Sequence, residues 1–580
     1  MASRTIRQRL CASLCAAFLA PLLVAAQDAT PPGQFSPATQ ASVATLHGVV
    51  RNAATGEPLA RALVRIEGDA DTGALTGGDG RFEIPGVAVG PQLIQVRKPG
   101  FRDRPYAAGA VVVDEIGPAH NVWVAAEMPD VVFTLAPTGS IQGQIELSSG
   151  DPAQDIVVEL VRRTVADGRA IWQAGGLTKT NSEGAYRFAG LAEGTYVLYT
   201  DPAQDSDAAS TLAEAGSGGA AERAGYPSVF YPDARDPSGA ARIRLRSGEQ
   251  AQANMTLTLE PFHLVTATAV LPQTSASTPA DHAAMSYTAL VMDTAGHQLA
   301  YGAKFDGESH TVQALLPDGN YSLLVSAVPR MGRSSGDDAD AGPLVGTVDF
   351  SVVGHPVANL RVPVSAPRPN PVQLTLLRGE TAPVANQNGL TTVLVSLAGG
   401  WIDDAMVSAY ASGSAPGPLA AAYTLPGAYW VHTHLQKGLC EASFTAGGAN
   451  LAREPVIIGL SGSTAPMDLT VRDDCARLTL RLPQNLTTLA PGEEPFYTIY
   501  VVPDFDSTAD VEPVTLRPST GGSMTLEDLA PGSYHVYMFD APVQLEYRNP
   551  AALAALPNPG QSVSLSPGVA SDLVLEAPGP

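Results

Sequence analysis

The chain has 580 residues, a formal net charge of −23, only 16% charged residues, and 56 glycines and 48 prolines. These values exclude a coiled coil, which would be rich in Glu, Lys, Arg and Leu, and a nucleic-acid binder, which needs a basic surface. A hydrophobic content of 45% can bury a core, which excludes a disordered chain. The composition therefore favours a secreted protein built from many short strands and turns.

The first residues have the pattern of a cleaved signal peptide. Three arginines precede an apolar run over residues 10–26, and this run ends in the small residues that a signal peptidase requires. We predict a signal peptide over 1–26, a Pro/Gly-rich linker over 27–41, and a secreted location, either periplasmic, extracellular or at the cell surface. No later segment has 18 consecutive apolar residues, so we expect no membrane span after cleavage.

One motif recurs along the chain: a turn followed by Gly-x-Tyr at the start of an alternating strand. Successive copies are 125, 108 and 105 residues apart, which is the size of one small domain. The tyrosines are Tyr196, Tyr321, Tyr429 and Tyr534, and a looser copy without tyrosine lies in 78–96. A tyrosine that points inward after a tight turn is most simply a core residue.

Strands of four to eight residues, punctuated by Gly, Pro, Asp and Asn, are typical of antiparallel sandwiches. We therefore predict an all-β protein, a tandem array of about five antiparallel, seven-stranded, Ig-like or prealbumin-like β-sandwiches. The predicted modules are 42–137, 138–261 with a loop insertion, 262–367, 368–474 and 475–580. Helical stretches are expected only in insertions, at 208–224 and 550–556.

Three short motifs in the first module carry a family resemblance. Residues 55–59 read Thr-Gly-Glu-Pro-Leu, residues 78–82 read Gly-Asp-Gly-Arg-Phe, and a Gly-Phe pair follows at 100–101. Residues 48–101 thereby resemble the carboxypeptidase regulatory-like domain, residues 139–199 resemble it less closely, and later modules share only Gly-x-Tyr. The resemblance implies a non-catalytic, prealbumin-like or starch-binding-like (carbohydrate-binding-like) sandwich that accompanies metallocarboxypeptidases, receptors or adhesins, or stands alone in arrays.

Catalytic motifs are missing from the sequence. A zinc carboxypeptidase needs a His-x-x-Glu pair, and none of the ten histidines has Glu three residues later. The serine-hydrolase motif Gly-x-Ser-x-Gly fails at its last position in 459–463, where the chain has serine. We therefore predict that the protein is not an enzyme and has no cofactor and no metal.

Trp430, His432 and His434 form one candidate ligand site. They alternate along a predicted strand, so their side chains share a face. Such a face suits a metal, or a sugar stacked on the tryptophan beside a polar pair. An ordinary exposed strand face with one half-buried tryptophan is the alternative, and the sequence favours it.

A second candidate is the aromatic segment of Tyr226, Phe230 and Tyr231, which lies between prolines. The segment 226–233 also resembles secreted, multi-module bacterial proteins of the same type. It suits a stacking platform for carbohydrate, or packing of its loop against the sheet of the second module. Acidic loops at 337–340 and 504–512 lack the full calcium-loop pattern, and we interpret them as solvated loops.

Cys440 and Cys475 are the cysteines left after signal cleavage. In an oxidising compartment they would form a disulfide that closes a loop of about 35 residues. Two buried free thiols are the alternative.

The sequence leaves several functions open. The first is a non-catalytic secreted or cell-surface protein for binding or adhesion, with polysaccharide or cell-envelope components as partners. The second is a structural spacer or envelope component without a ligand. A third, less favoured, is an accessory or regulatory part of a peptidase or hydrolase system. Nucleic acid is not expected as a partner, given the acidic charge.

Overall fold

The computed structural model of the protein describes residues 42–69, 72–103, 119–204, 222–272, 285–293, 298–329, 344–366, 371–378, 382–384, 391–399, 407–413, 419–420, 427–435, 437–459, 462–463 and 465–578. The predicted signal peptide, the predicted linker, most of the predicted helical insertion and the acidic loop at 337–340 lie outside these residues.

Alternation of apolar and polar residues builds the strands. In the segment 81–88, Phe82, Ile84 and Val87 are buried whereas Arg81 and Glu83 are exposed, as a strand with one face on a core requires. The strands form five pairs of sheets in chain order, which we call sandwiches 1 to 5. Among the described residues, no helix is both long and apolar enough to cross a membrane.

The strands of sandwich 1 are β1 (Val43–Asn52), β2 (Leu63–Ile66), β3 (Gly73–Leu75), β4 (Arg81–Ala88), β5 (Gly90–Arg97), β6 (Phe101–Asp103), β7 (His120–Val124) and β8 (Val131–Pro137). Those of sandwich 2 are β9 (Gly139–Leu147), β10 (Val157–Ala166), β11 (Arg169–Lys179), β12 (Ala185–Leu191), β13 (Gly194–Thr200), β14 (Ala203–Gln204), β15 (Glu222–Tyr226), β16 (Ile243–Leu245), β17 (Gln250–Gln252) and β18 (Met255–Leu257).

The strands of sandwich 3 are β19 (Glu260–Val270), β20 (Met285–Met292), β21 (Ala303–Asp306), β22 (Thr311–Leu316), β23 (Gly319–Pro329), β24 (Leu344–Val352) and β25 (Val357–Pro363). Those of sandwich 4 are β26 (Pro371–Arg378), β27 (Ala382–Val384), β28 (Thr391–Gly399), β29 (Val407–Gly413), β30 (Leu419–Ala420), β31 (Gly427–Leu435), β32 (Cys440–Ala446), β33 (Ala449–Asn450), β34 (Val456–Gly459), β35 (Gly462–Ser463) and β36 (Met467–Arg472).

The strands of sandwich 5 are β37 (Ala476–Arg481), β38 (Gly492–Glu493), β39 (Tyr497–Pro503), β40 (Val514–Leu516), β41 (Ser523–Leu529), β42 (Gly532–Phe539), β43 (Gln561–Leu565) and β44 (Ala570–Val574). Its helix, α1 (Pro550–Ala554), confirms the helical turn predicted at 550–556. Short 3₁₀ turns lie at Pro237–Gly239, Gln484–Leu486 and Pro518–Thr520.

One topology recurs in all five sandwiches. The first strand pairs in parallel with the last: β1 with β8, β9 with β17 and β18, β19 with β25, β26 with β36, and β37 with β44. In the second sheet the strand that opens with glycine pairs antiparallel with an early strand: β5 with β2, β13 with β10, β23 with β20, β31 with β28, and β42 with β39. The predicted all-β sandwich class is confirmed, and we propose that each sandwich is one of the predicted modules.

Each core lies between the two sheets of its sandwich. In sandwich 1, fully buried Leu46 and Phe133 of one sheet pack in the same cluster as Ile94 and Val122 of the other. Burying such side chains stabilises the fold by roughly 1.5–3 kcal/mol each.

The Gly-x-Tyr motif has a structural cause. Tyr196, Tyr321 and Tyr534 are buried, and each hydroxyl donates to the carbonyl oxygen of the residue four positions earlier, over 2.6 to 3.0 Å. The hydrogen bond closes the turn that precedes the strand, as in the tyrosine corner of other sandwiches. In sandwich 3 glycine is needed two residues before the tyrosine, because a Cβ on Gly319 would lie 2.8 Å from the hydroxyl of Tyr321.

Among the described residues, three strands lie in a sheet of another sandwich, which the array prediction did not include: β38, β15, and β14, which is paired to β15. β15 of sandwich 2 pairs antiparallel with β19 of sandwich 3. β38 of sandwich 5 pairs antiparallel with β7 of sandwich 1, so that Gly492 lies opposite Trp123. Each added strand satisfies backbone groups that would otherwise form an open sheet edge.

Replacing Tyr534 by Phe should lower the free energy of unfolding by about 1 kcal/mol, because the carbonyl of Ala530 loses its buried donor. Replacing Tyr534 by Ala should cost about 3–5 kcal/mol, because the ring is lost as well. Urea unfolding of both variants checks this. A Phe variant as stable as the wild type would show that the hydroxyl plays no part in the turn.

Candidate functional site

The strand β31 carries Trp430, His432 and His434 on its outer face. Val431 and Thr433 alternate with them and are buried, so the predicted sharing of one face is observed. Trp430 and His432 are half-buried and His434 is exposed. They lie where sandwich 4 meets sandwiches 2 and 5, and their contacts come from both.

His432 lies between two carboxylates that are distant in the sequence. Its Nδ1 is 2.9 Å from Oδ2 of Asp167 and 3.4 Å from Oδ1 of Asp510. The other oxygen of Asp510 is 3.0 Å from Nδ1 of His434. The three sandwiches therefore meet at these side chains.

Asp167 reaches this position from a tight hairpin. β10 and β11 are joined by Asp167 and Gly168 alone, with φ values of 45° and 66°, as in the type I′ turns that favour Asp-Gly. Gly168 lies against the ring of Tyr547, and an added Cβ would be 2.7 Å from it. The hairpin tip thus fits against sandwich 5 only with glycine at this place.

Three further donors surround the carboxylate of Asp167. Tyr547 Oη donates to Oδ1 over 2.6 Å, Arg548 Nε to Oδ2 over 2.9 Å, and Arg169 Nη1 to Oδ2 over 2.7 Å. We call Asp167, Arg169, His432, Asp510, Tyr547 and Arg548 the Asp167 junction.

Local structure fixes the two arginines of the junction. Arg548 also donates to the carbonyl oxygens of Ser507 and Ala509, and it directly precedes Asn549, which caps α1. Arg169 donates to the carbonyl oxygen of Ala452 in sandwich 4 over 2.8 Å. Both guanidinium groups thereby link Asp167 to backbone of the neighbouring sandwiches.

The charged groups of the Asp167 junction shift one another's pKa values. Burial opposes ionisation of Asp167, but His432 and Arg548 outweigh it and lower the pKa of Asp167 to about 2. Burial likewise opposes protonation of His432, but Asp167 and Asp510 outweigh it and raise the pKa of His432 to about 9. Burial and the neighbouring Arg548 lower the pKa of Arg169 to about 10. At neutral pH the histidine is a cation between two anions.

Asp167, His432 and Asp510 place potential ligand atoms within 4.8 Å of one another, the arrangement of a metal site. However, Asp167 already accepts from two arginines and a tyrosine, and a divalent cation would meet these positive charges. A metal at Asp167 would have to displace them, whereas the ion pairs satisfy every oxygen present. We therefore interpret the Asp167 junction as an ion-pair network between sandwiches.

A cavity of about 510 Å³ opens beside the junction. Its lining includes aromatic rings and paired charges from sandwiches 2, 4 and 5. Trp430, Phe505 and Tyr537 contribute the rings, and Arg169 lies 4.0 Å above the centre of the Trp430 ring. We call this the junction cavity.

The second candidate segment packs onto its own sandwich. Phe230 is 6% exposed and stacks on Tyr199 with 5.1 Å between the ring centres. Tyr226 and Tyr231 are half-buried against the core of sandwich 2. This placement corresponds to the packing alternative.

The acidic loop at 504–512 is paired rather than simply solvated. Asp504 is 2.5 Å from Nδ1 of His535, and Asp506 accepts from Arg453 over 2.6 Å. Asp510 belongs to the junction. These side chains remain 28–38% exposed, so the loop is partly solvated, and sandwich 4 and β42 supply its ion-pair partners.

Cys440 and Cys475 are joined as a disulfide, with 5.8 Å between their Cα atoms. The bond connects β32 of sandwich 4 to the start of sandwich 5. It ties together the two sandwiches that also meet at Thr433 and Thr508, where the amide of Thr433 donates to the Thr508 carbonyl over 3.2 Å.

Sequence reasoning did not find Asp167, Arg169, Tyr547 and Arg548. The Asp-Gly dipeptide between two alternating strands does indicate the hairpin. Nothing local indicates that its tip lies against residues 547–548, because 381 residues separate Asp167 from Arg548.

Residues 45–122 match the family model of the carboxypeptidase regulatory-like domain. Sandwich 1 therefore has the domain type that the motifs of residues 48–101 indicated. No curated protein matches the chain.

Several solved structures are similar to parts of the chain. The Bacillus anthracis TIE protein is 12% identical, covers 70% of this chain and 71% of its own, and has a TM-score of 0.17. A streptococcal ancillary pilin is 10% identical, with coverages of 55% and 99% and a TM-score of 0.18. The minor pilin GBS52 of Streptococcus agalactiae is 16% identical, with coverages of 37% and 95% and a TM-score of 0.18. With TM-scores this low, they say nothing about ligands or assembly of this chain.

Replacing Arg548 by Met should lower the free energy of unfolding by about 3 kcal/mol, because Asp167, whose side chain is only 12% exposed, loses a charged partner. The matched control is Arg453→Met, which breaks the pair with Asp506 at a side chain that is 73% exposed. The control should cost less than about 1 kcal/mol. If urea unfolding shows the same loss of unfolding free energy for both variants, the Asp167 junction does not stabilise the protein in the way described.

The stabilisation from His432 should depend on pH. Its pKa is raised in the folded protein from 6.5 to about 9, so its contribution is complete below pH 6.5 and is lost as the pH rises through 9. The difference in unfolding free energy between wild type and His432→Gln should therefore shrink between pH 6.5 and 9.5. A difference that stays constant over this range would mean that the histidine is not charged in the folded protein.

Proposed function

We propose that the protein is a non-catalytic, secreted or cell-surface binding or adhesion protein, and that it binds polysaccharide at the junction cavity. The junction cavity is the observation that carries the proposal. It combines the half-buried ring of Trp430 with hydroxyl and charged groups from three sandwiches. Binding sites of this kind have apolar walls with a few placed polar groups.

The charges around the cavity support a neutral, hydroxyl-rich ligand. Arg453 is paired with Asp506, His535 with Asp504, and Arg169 with Asp167. Because these groups are paired, the lining offers hydrogen-bond donors and acceptors without a large excess of either charge. Saccharide hydroxyl groups can use both, and a sugar ring can lie against an indole.

The cell-surface or extracellular location has separate support. A disulfide between Cys440 and Cys475 persists in an oxidising compartment and is rare in the cytosol. Sandwich 1 matches the carboxypeptidase regulatory-like domain, and the resemblance to that domain implies a non-catalytic role.

Retention on a panel of insoluble polysaccharides tests the proposal. The wild type should be retained by at least one of them, and Trp430→Ala should bind at least about tenfold more weakly, because truncating a central aromatic anchor typically costs about 2 kcal/mol or more. Trp172→Ala is the matched control, since Trp172 packs on sandwich 2 away from the cavity. Its retention should equal that of the wild type.

Melting temperatures of both variants establish that each is folded before binding is measured. If no polysaccharide retains the wild type, the spacer or envelope function without a ligand is the better explanation. If Trp430→Ala binds as well as the wild type, the ligand lies elsewhere and the junction cavity is not its site.

A further inference from the structure

His120 lies at a second joint between sandwiches. It is the first residue of β7 and is 9% exposed, and its ring packs on Phe133 with 4.7 Å between the ring centres. β7 receives β38 of sandwich 5 on its edge, with Glu493 opposite Val122. The histidine is therefore at the place where the sheet of sandwich 1 continues into sandwich 5.

Both ring nitrogens of His120 face carboxylates. Nε2 is 2.9 and 3.0 Å from the two oxygens of Asp103 on β6, and Nδ1 is 2.7 Å from Oε1 of Glu493 on β38. Ionised carboxylates only accept hydrogen bonds, so each nitrogen has to donate. Only the doubly protonated, positively charged ring has two N–H groups. The contact thus requires an imidazolium between one carboxylate of sandwich 1 and one of sandwich 5.

The other side chains between β7 and β38 are either uncharged or form their ion pairs within sandwich 5. The amide of Glu494 donates to the carbonyl of Asn121 over 2.8 Å, and the Asn121 side chain donates to the Glu494 carboxylate. That carboxylate also accepts from the amide of Ser519 and lies 4.0 Å from Arg517. Among the described residues, Asp103 and Glu493 are the charged groups that act on the His120 ring.

We propose that His120 is a pH-sensitive latch: its doubly protonated ring holds β38 of sandwich 5 on the edge of sandwich 1, and loss of a ring proton releases this strand. The neutral ring has one N–H and one lone pair, so one of the two carboxylates then faces a lone pair. Asp103 is the more deeply buried partner, with a side chain 1% exposed against 41% for Glu493. The contact to Glu493 therefore breaks, since this carboxylate can turn to water.

The pKa of His120 determines whether the latch opens at high or at low pH. Burial lowers the pKa of His120, but the hydrogen bonds and charges of Asp103 and Glu493 outweigh it and raise the pKa to about 9. Because the pKa is raised on folding, the latch is closed at neutral pH and opens as the pH rises through about 9. The latch does not depend on the proposed polysaccharide ligand.

Hydrogen exchange of the full chain, followed by mass spectrometry from pH 7 to 10.5, tests the latch. Protection factors, corrected for the intrinsic pH dependence of exchange, are compared for peptides that contain the amides of Trp123 and Glu494. In the wild type, protection should fall at least tenfold between pH 7.5 and 10.5. In Glu493→Gln this fall should be lost, because the side-chain amide can accept from the protonated Nδ1 and donate to the neutral one.

Two further variants complete the test. His120→Gln should show low protection that does not change over this range. The matched control is His47→Gln, which alters an exposed histidine of the same sandwich that pairs with Asp130. The control should follow the wild-type curve at β38.

The proposal is overturned if wild-type protection at these amides is constant up to pH 10.5, or if the Glu493→Gln curve coincides with that of the wild type. Glu493 is partly exposed, so this variant folds even if His120→Gln does not, and the comparison remains decisive. A His47→Gln control that loses protection like His120→Gln would also contradict a role specific to His120.

Discussion

The carboxylate of Asp167, a side chain that is 12% exposed, makes the contacts on which the arrangement of sandwiches 2, 4 and 5 depends. It extends from a two-residue hairpin of sandwich 2 and accepts hydrogen bonds from Tyr547 and Arg548 of sandwich 5, while His432 of sandwich 4 lies 2.9 Å away. Removing one partner of an ion pair that is shielded from water leaves the other charge less well compensated, so the carboxylate of Asp167 and the guanidinium of Arg548 stabilise each other there. The junction cavity beside it exists only because these three sandwiches meet.

The residues that build each sandwich recur along the chain, whereas the residues that connect one sandwich to another do not. All five sandwiches share a parallel pairing of first and last strands, and Gly-x-Tyr opens the same strand in four of them. The joining residues do not repeat: Asp167 is at a hairpin tip, His120 at a strand start, and Glu493 on a two-residue strand. The repeated residues therefore determine the fold of each sandwich, and the unrepeated ones determine how the sandwiches are combined.

Local signals in the sequence were sufficient for the fold class. Alternation placed the strands, Gly-x-Tyr located the buried tyrosines, and a helical stretch was expected at 550–556, where the structure has a helix at 550–554. The shared face of Trp430, His432 and His434 was also predictable, since it needs only the period of a strand. Their partners were not, because Asp167 is 265 residues from His432 and no local pattern records which hairpin tip will lie beside which strand. The ion-pair partners of the acidic loop at 504–512 were not predictable for the same reason.

The central claim is that Asp167 and Arg548 interact directly across sandwiches 2 and 5. A double-mutant cycle with Asp167→Asn and Arg548→Met, measured by urea unfolding at pH 6 and low salt, tests it most directly. The account predicts a coupling free energy of about 2 kcal/mol or more, against less than about 1 kcal/mol for the exposed pair Asp506 and Arg453. A coupling near zero between Asp167 and Arg548 would contradict the account.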